Sequence, residues 1–157
     1  MIHLRWRMIM KKTCAKYASK LIHDGMVVGL GGGSTIQYLI DYVKDKDIQV
    51  VTPSVKTALK AQKEGLPILN TQFVDHIDIA FDGCDEVDSN LNALKSGGGI
   101  HTQEKIIASM ADEYIVLVDE TKFHKTLAFK APVVVEVLPR ASFLYVSGSV
   151  RSSLHSL

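Results

Sequence analysis

The chain has 157 residues and a formal net charge of +1, from 18 basic and 17 acidic side chains. Such an even balance argues against a nucleic-acid partner, and no apolar run reaches the ~18 residues that a membrane-spanning helix needs. Two cysteines, Cys14 and Cys84, are too few for a disulfide framework. Free thiols are typical of a reducing compartment, so the composition predicts one globular domain in the cytoplasm.

The hydrophobic pattern alternates between strand-like and helix-like segments along most of the chain. Apolar residues at helical spacing predict helices over residues 11–25, 34–46, 54–65 and 102–112. Short apolar runs predict strands over residues 26–30, 48–52, 67–70, 77–81, 114–118 and 133–137. Ser34 with Gln37 has the form of a capping box, and Ser54 is predicted to cap the third helix, which Gly65 ends. The alternation predicts an α/β fold with an open, mostly parallel sheet and helices on both faces.

Three segments of different character are predicted. Residues 1–9 are interpreted as an N-terminal extension, because Met10 stands just before the first predicted helix and the opening lacks the apolar core of a signal peptide. Residues 10–130 are predicted to form the α/β domain that carries the chemistry. Residues 131–157 are interpreted as the start of a small C-terminal subdomain, incomplete and serine-rich. We expect self-association through its apolar side chains, Phe143, Leu144, Tyr145 and Val146.

Glycine is concentrated where the first predicted strand meets the second predicted helix, in the sequence GLGGGST of residues 29–35. Glycine lets the backbone approach a ligand closely, and N–H groups at a helix N-terminus attract anions. The alternative is a tight strand–helix turn without a ligand. The sequence lacks the acid that a dinucleotide site requires at the next strand end and the lysine of a Walker loop. A small phosphate or sugar ligand therefore fits this loop better than NAD or ATP.

Four carboxylates follow the strand over residues 77–81: Asp82, Asp85, Glu86 and Asp88. Their spacing does not match a calcium-binding loop, because the sixth position from Asp82 is Val87 where that loop requires glycine. Spacing alone leaves three readings open, a looser cation site, a solvated acidic turn and a catalytic acid–base cluster. The position at a strand end, with Gly83 allowing a sharp turn, favours a functional site.

A third constellation is ALKSGGGIHTQEK, in which Lys95 precedes a glycine-rich loop and Glu104 lies in the first turn of the helix that follows. A cation, several backbone N–H donors and a carboxylate are the groups that stabilise an oxyanion and move a proton beside it. Glu104 alone could serve only to offset the helix dipole. His101 has no second histidine at ligand spacing, so no metal site is predicted here.

Together these motifs resemble the type A family of ribose-5-phosphate isomerases. The family pattern G-x-G-T-G-S-T corresponds to GLGGGST, and D-G-A-D-E corresponds to DGCDE of residues 82–86. The family pattern K-G-G-G-G followed by R-E-K-I corresponds to KSGGG followed by QEKI, and a fourth match is DETK, which ends at Lys122. The motifs occur in family order, and the resemblance covers residues 10 to about 140.

The resemblance implies an aldose–ketose isomerase that interconverts D-ribose 5-phosphate and D-ribulose 5-phosphate through an enediolate, in the non-oxidative pentose phosphate pathway. It implies a homo-oligomer without a metal or other cofactor. By position, Glu104 is the base between C1 and C2, and Lys95 is the cation at the enediolate oxygen. Asp82 and Asp85 handle hydroxyl protons and ring opening, whereas Glu86 and Asp88 are interpreted as solvated turn residues. The implied substrate-binding residues are Gly32, Gly33, Ser34, Thr35, Gly83, Cys84, Ser96, Gly97, Gly98, Lys122 and Lys11.

The sequence departs from the family pattern at three site positions. Gly32 replaces a threonine, Ser96 replaces a glycine and Gln103 replaces a basic residue. Each change is expected to weaken substrate binding without altering the core chemistry. The family also continues further, through a small α/β subdomain and a closing strand, so the fold is expected to be truncated at its C-terminus. Two other functions remain open, a non-enzymatic sugar-phosphate-binding domain and an inactive truncated relative.

Overall fold

The computed structural model describes residues 2–95 and 97–137, with side chains from Met8 onward. Four α-helices and eight strands lie in this part of the chain. In chain order they are α1 (Ile2–Ala18), β1 (Val27–Leu30), α2 (Ser34–Val43), β2 (Gln49–Val51), α3 (Val55–Lys63), β3 (Ile68–Leu69), β4 (Ile77–Asp82), β5 (Glu86–Asp88), β6 (Ala93–Leu94), α4 (His101–Met110), β7 (Ala111–Val116) and β8 (Phe123–His124).

Five of the strands form a parallel sheet in the order β3–β2–β1–β4–β7. The chain runs outward from β1 to β2 and β3, then crosses back to place β4 on the other side of β1. The strand order therefore reverses between β1 and β4. In open parallel sheets, ligands bind in the crevice at such a reversal, beyond the carboxyl ends of the strands. The glycine-rich loop follows β1 and Asp82 ends β4, so both lie at this crevice.

Helices cover both faces of the sheet, which confirms the predicted layer architecture. One apolar cluster joins α1, α2 and α3 to the sheet, with Ile36, Leu39, Ile40 and Val43 of α2 all buried. A second, smaller cluster joins Ile107 of α4 to Ala80 of β4 on the opposite face. The helical spacing of apolar residues in α2 and the continuous apolar run in β4 account for these contacts.

A second sheet of three short strands, in the order β6–β5–β8, was not predicted from the sequence. β5 pairs antiparallel with β6 and parallel with β8. The interpretation of Glu86 and Asp88 as solvated turn residues is wrong, because both lie on β5 and each is only 3% exposed. Their charges are met by backbone N–H groups, which a sequence pattern does not reveal.

Several predicted elements differ in extent or are absent. Residues 133–137 are described without strand structure, because β-branched residues alone do not make a strand without a pairing partner. α1 begins at Ile2, inside the predicted extension, and β7 begins at Ala111, three residues before the predicted strand. The division of the chain at residues 10 and 130 stays a prediction, and the apolar tail residues 143–146 lie outside the described part. No helix in the described residues is long and apolar enough to cross a membrane.

The two predicted helix caps have different outcomes. Ser54 caps α3, with its hydroxyl accepting a hydrogen bond from the Thr57 N–H. The capping box of Ser34 and Gln37 does not form, because Gly33 occupies the N-cap position of α2. The Ser34 hydroxyl instead accepts a hydrogen bond from Lys11 Nζ at 2.8 Å.

We expect Ser54→Ala to lower the free energy of unfolding by about 1 kcal/mol, because it removes the cap of α3. Ser34→Ala is the matched control and should change it by less than about 0.5 kcal/mol, since an exposed side chain without a capping role is lost. Urea denaturation of both variants measures the difference. Equal losses in the two variants would contradict the cap assignment.

Candidate active site

The glycine-rich loop after β1 is fastened to the ends of the neighbouring elements. The Gly31 N–H donates to the Phe81 carbonyl at 2.8 Å, and the Gly31 carbonyl accepts from the buried Thr57 hydroxyl at 2.8 Å. A Cβ atom at Gly31 would lie 2.0 Å from Asp82 Oδ1. Glycine is therefore required here because the Asp82 carboxylate occupies the space that any side chain would need.

Asp82 ends β4 and is buried, with 3% of the whole residue exposed. Its Oδ1 accepts a hydrogen bond from the Gly83 N–H at 2.7 Å, and its Oδ2 lies 2.7 Å from Lys95 Nζ. Its backbone carbonyl accepts from the Leu117 N–H at 2.7 Å, which ties it to the chain leaving β7. The position of this carboxylate is thus set by backbone on two sides and by a cation on the third.

Lys95 brings together two of the three predicted catalytic carboxylates, Asp82 and Glu104. Its ammonium group lies 2.7 Å from Asp82 Oδ2 and 3.3 Å from Glu104 Oε2, and it also donates to the Gly83 carbonyl. An ammonium group has three N–H donors, so these three acceptors match its full donor set. The Lys95 side chain is 19% exposed, and the two carboxylates are 5% and 11% exposed. The prediction that Lys95 and Glu104, on either side of the glycines at 97–99, act together is consistent with this geometry.

Glu104 lies in the first turn of α4, beside Asp82. Burial raises the pKa of its carboxyl, the Asp82 charge raises it further, and the Lys95 charge opposes both without reversing them. A carboxylate with a raised pKa is a better proton acceptor at neutral pH than an ordinary glutamate. The electrostatics of the cluster therefore suit Glu104 to proton transfer.

Tyr114 is a site residue that the sequence analysis missed. Burial, followed by the negative charges of Asp82 and Glu104, raises the pKa of its hydroxyl well above the ordinary value. The phenol therefore stays protonated. β4 and β7 pair with Ala80 opposite Tyr114 and Asp82 opposite Val116, which puts the tyrosine on the sheet face of Asp82. The sequence offered one signal for this residue. Side chains alternate between the two faces of a strand, and this alternation in YIVLV places Tyr114 on the same face as Val116.

A cavity of about 510 Å³ opens in front of this cluster. Eleven of the predicted site residues line it: Gly32, Gly33, Asp82, Gly83, Cys84, Asp85, Lys95, Gly97, Gly98, Glu104 and Lys122. Pro53, Ser54, Val55 and Ile100 also line it and were not predicted. Residues from the three predicted constellations therefore meet around one space that is large enough for a small sugar phosphate.

The remaining predicted site residues do not line this cavity. Lys11 and Thr35 line a second cavity of about 440 Å³, next to α1. Ser34 lines neither cavity and lies at the start of α2, where its hydroxyl contacts Lys11. Ser96 lies outside the described residues.

Two backbone contacts shape the far wall of the first cavity. Lys122 Nζ donates to the Cys84 carbonyl at 2.5 Å, and Asp85 Oδ2 accepts from the Gly97 N–H at 3.1 Å. Burial raises the pKa of the Cys84 thiol, against the opposing charges of Lys122 and Lys95. The Cys84 thiol therefore holds its proton more tightly than an ordinary cysteine does.

The acidic cluster divides into two pairs with different environments. Asp82 and Asp85 line the cavity, whereas Glu86 and Asp88 are buried on β5 outside its lining. Within residues 2–95 and 97–137, no group of three or more histidine, cysteine or acidic residues is arranged to hold a metal ion. Independence from metal stays a prediction, which chelation tests.

We expect Gly31→Ala to lower the free energy of unfolding by about 1–3 kcal/mol and to displace the Asp82 carboxylate, because the new methyl group overlaps it. Gly32→Ala is the matched control. Its added Cβ would lie 3.9 Å from the nearest atom, the Ser54 hydroxyl oxygen, so stability should change by less than about 1 kcal/mol. Thermal and urea denaturation measure both variants, and equal stability of the two would contradict the close approach of Gly31 to Asp82.

Lys95→Met is expected to raise the pKa of Glu104 further, since it removes a cation that lowers this pKa and leaves Asp82 in place. Carboxyl NMR of the wild type and the variant as a function of pH measures the shift. Lys44→Met, which removes an exposed lysine, is the control and should leave the Glu104 pKa unchanged. A fall in the Glu104 pKa in Lys95→Met would contradict the arrangement.

Comparison with known proteins points to one family. The sequence model for ribose 5-phosphate isomerase A (phosphoriboisomerase A) matches residues 49–152. A second model, for the DeoR C-terminal sensor domain, matches residues 7–71, which is less than half of the chain. Curated relatives named ribose-5-phosphate isomerase A include one from Pyrococcus furiosus, 48% identical over 139 residues, and one from Prochlorococcus marinus, 43% identical over 157 residues.

Solved structures agree with this similarity. The ribose 5-phosphate isomerase A of Methanocaldococcus jannaschii is 38% identical, with a TM-score of 0.82 over 88% of this chain. A D-ribose-5-phosphate isomerase in complex with phospho-erythronic acid is 44% identical, with a TM-score of 0.83. The alignments with the two curated relatives include 84% and 94% of this chain. The chain spans only 61% and 63% of the length of these relatives, and 64% of each of the two solved structures. From the match of its motifs, sequence and fold, the chain belongs to the ribose 5-phosphate isomerase A family.

Proposed function

We propose that this chain isomerises D-ribose 5-phosphate and D-ribulose 5-phosphate in the cavity between the glycine-rich loop and Lys95. The observation that carries the proposal is the Lys95 ammonium group held between the Asp82 and Glu104 carboxylates at the cavity wall. An aldose–ketose isomerisation needs a base for a carbon-bound proton and a fixed positive charge for the oxygen that becomes anionic. The cluster supplies the base as Glu104 and the positive charge as Lys95, with 3.3 Å between Glu104 Oε2 and Lys95 Nζ.

Glu104 is the proposed proton carrier. In the open-chain aldose it removes the proton from C2, the C–H electron pair forms a double bond to C1, and the carbonyl electrons move to O1. Glu104, whose proton exchanges with solvent while the enediolate is bound, then protonates C1, and the O2 hydroxyl proton passes to O1. This gives the ketose, so no external oxidant or reductant is needed. The raised pKa of Glu104 supports this role, because proton transfer is efficient when the pKa of the base lies near the working pH.

Lys95 and the two cavity aspartates are proposed to handle the oxygens. Lys95 stabilises the negative charge that develops on O1, where a preorganised donor is worth about 10²–10³ in rate. Asp82, whose carboxylate accepts a hydrogen bond from the Gly83 N–H, is proposed to move the hydroxyl proton between O2 and O1. Asp85 is proposed to assist ring opening, since its carboxylate lies on the wall formed by the Gly97 loop.

The phosphate is proposed to bind at the glycine-rich loop and Lys122. Gly32 and Gly33 precede the N-terminus of α2, where unpaired N–H groups attract anions, and Lys122 adds a positive charge to the same cavity. The related isomerase solved with phospho-erythronic acid supports a phosphorylated sugar acid as a ligand for this family. Gly32 leaves open space where the family has a threonine, so this subsite lacks one hydroxyl donor.

A sugar-phosphate sensor is the second candidate function, because the DeoR sensor-domain model matches residues 7–71. That range contains the glycine-rich loop and excludes Lys95, Asp82 and Glu104. A sensor would bind the sugar phosphate at the loop without converting it. The two functions therefore differ in turnover and not in binding.

We further propose a homo-oligomer that works in the cytoplasm. Leu59 and Phe73 expose 63% and 86% of their surface, and apolar side chains this exposed are often covered by another subunit. Cys14 and Cys84 are both free thiols, which suits a reducing compartment.

We expect the purified chain to convert ribose 5-phosphate to ribulose 5-phosphate, and Glu104→Gln to lower kcat by about 10²–10⁴ with KM little changed. Glu113→Gln, a change at an exposed carboxylate on β7, is the control and should keep wild-type kcat. Activity should persist after exhaustive chelation. Binding of ribose 5-phosphate without any turnover would favour the sensor, and loss of activity on chelation that a divalent ion restores would favour a metal site.

The same variant also has an expected effect on stability. A carboxyl whose folded-state pKa is raised holds its proton more tightly when folded, so its ionised form costs stability at pH values above that pKa. Glu104→Gln should therefore raise Tm at neutral pH and change it less in acid, where the wild-type carboxyl is already protonated. Thermal denaturation at several pH values measures this difference. A lower Tm for the variant at neutral pH would contradict the raised pKa.

A further inference from the structure

The small sheet carries both cationic side chains of the cavity. Lys95 directly follows β6, and Lys122 directly precedes β8, so the two lysines lie at strand ends on either side of β5. Each ammonium group reaches back to the loop before β5, Lys95 to the Gly83 carbonyl and Lys122 to the Cys84 carbonyl. The positions of both cations therefore depend on how β6 and β8 are held against β5.

Glu86 fastens the chain that follows β8. Its Oε2 accepts from the Ala128 N–H at 2.9 Å, and its Oε1 accepts from the Ala131 N–H at 2.7 Å. Burial alone would raise the pKa of this carboxyl, but the backbone hydrogen bonds outweigh it, and the net pKa is lowered. Glu86 is thus ionised in the fold and holds two amides that lie more than forty positions further along the chain.

Asp88 fixes the hairpin that joins β5 to β6. Its Oδ1 accepts from the N–H groups of Asn90 and Asn92, and its Oδ2 accepts from Asn92 Nδ2 at 3.1 Å. The hydrogen bond from the Asn92 side chain, with the backbone ones, lowers its pKa below the ordinary value. Leu91, between the two asparagines, has a φ of 64°, a left-handed conformation that a leucine does not adopt without such support.

This hairpin sets the register of β6. Glu86 lies opposite Leu94 and Val87 opposite Ala93, and the Asp85 N–H donates to the Leu94 carbonyl at 2.8 Å. A slip by one residue would turn every side chain of β6 to the other face of the sheet. Lys95 would then point away from Asp82 and Glu104.

From these contacts we infer that Glu86 and Asp88 are positioning residues for the reaction, Glu86 through Lys122 and Asp88 through Lys95. The inference rests on the proposed function. Neither carboxylate lines the cavity, so neither is a catalytic residue. Asp88 holds the cation at the reacting oxygen, and Glu86 holds the cation proposed for the phosphate. The two therefore affect different kinetic constants.

The test compares Asp88→Asn with Glu86→Gln in the full chain. Each amide replaces one acceptor oxygen with an NH₂ group that faces an existing donor. Misplacing a catalytic group by about 1 Å can cost up to ~10² in rate. Asp88→Asn is expected to lower kcat by about 10- to 100-fold with KM nearly unchanged, and Glu86→Gln to raise KM by a similar factor with kcat nearly unchanged. Asp45→Asn and Glu136→Gln, at exposed carboxylates, are the matched controls and should keep both constants.

Two readouts separate failure of this inference from failure of the proposed function. The Glu104 pKa, followed by carboxyl NMR, should rise in Asp88→Asn because Lys95 withdraws from Glu104. Calorimetric binding of inorganic phosphate, which probes only the subsite assigned to Lys122, should weaken in Glu86→Gln and stay unchanged in Asp88→Asn. Neither readout needs turnover. If the wild type binds this ligand without isomerising the sugar, the proposed function fails while both expected shifts still support positioning.

Milder variants keep the test decisive if the amide variants fold poorly. Asn92→Ala removes one contact to Asp88, and Glu86→Asp keeps the charge but shortens the reach to the two amides. Each should shift the same constant as its stronger counterpart, by a smaller factor and with an unchanged far-UV circular dichroism spectrum. The inference is overturned if folded variants leave kcat, KM and the Glu104 pKa at wild-type values, or if all variants lower kcat and ligand affinity alike.

Discussion

The contact between the Lys95 ammonium group and the Asp82 and Glu104 carboxylates is the constraint on which the site depends. Two carboxylates this close and this well buried would repel each other and share protons if no cation lay between them. Removal of Lys95 would leave both carboxylates without a counterion, and the loss of such a buried partner typically costs about 3–5 kcal/mol. The three side chains come from the end of β4, the end of β6 and the start of α4, so both sheets must be formed before the cluster exists.

The fold supplies this cluster through backbone contacts more than through side-chain packing. Gly31 gives Asp82 the space it occupies, and the Gly83 N–H and carbonyl fix Asp82 and Lys95 respectively. On the far side, Glu86 binds the amides of Ala128 and Ala131. Backbone N–H and carbonyl groups are present whatever the side chain. The sequence is therefore restricted at two kinds of position, where glycine leaves space for Asp82 and where a carboxylate accepts hydrogen bonds from backbone amides.

The sequence predicted the parallel sheet because apolar periodicity reports burial, and it predicted three constellations at strand ends because charged groups and glycines there meet at one edge. The individual substrate-binding residues, Lys122 and Cys84 among them, came from the family resemblance. The cap at Ser54 followed from local chemistry alone. The small sheet was missed because strands of two or three residues are too short to show a period. The burial of Glu86 and Asp88 was missed because carboxylates are rarely buried and their partners here are backbone amides, some of them distant in sequence. The strand predicted over residues 133–137 is absent. Its residues have a high strand propensity, but no neighbouring strand in the described part of the chain pairs with them.

Exchange of the C2 proton of ribose 5-phosphate with solvent tests the central claim most directly, since it reports the proton transfer assigned to Glu104 rather than overall turnover. The measurement follows deuterium incorporation by NMR during incubation in D₂O, with the wild-type chain and with Glu104→Gln. The account predicts exchange by the wild type and a loss of about 10²- to 10⁴-fold in the variant, in step with its loss of turnover. Exchange by the variant at the wild-type rate, or no exchange by the wild type, would contradict it.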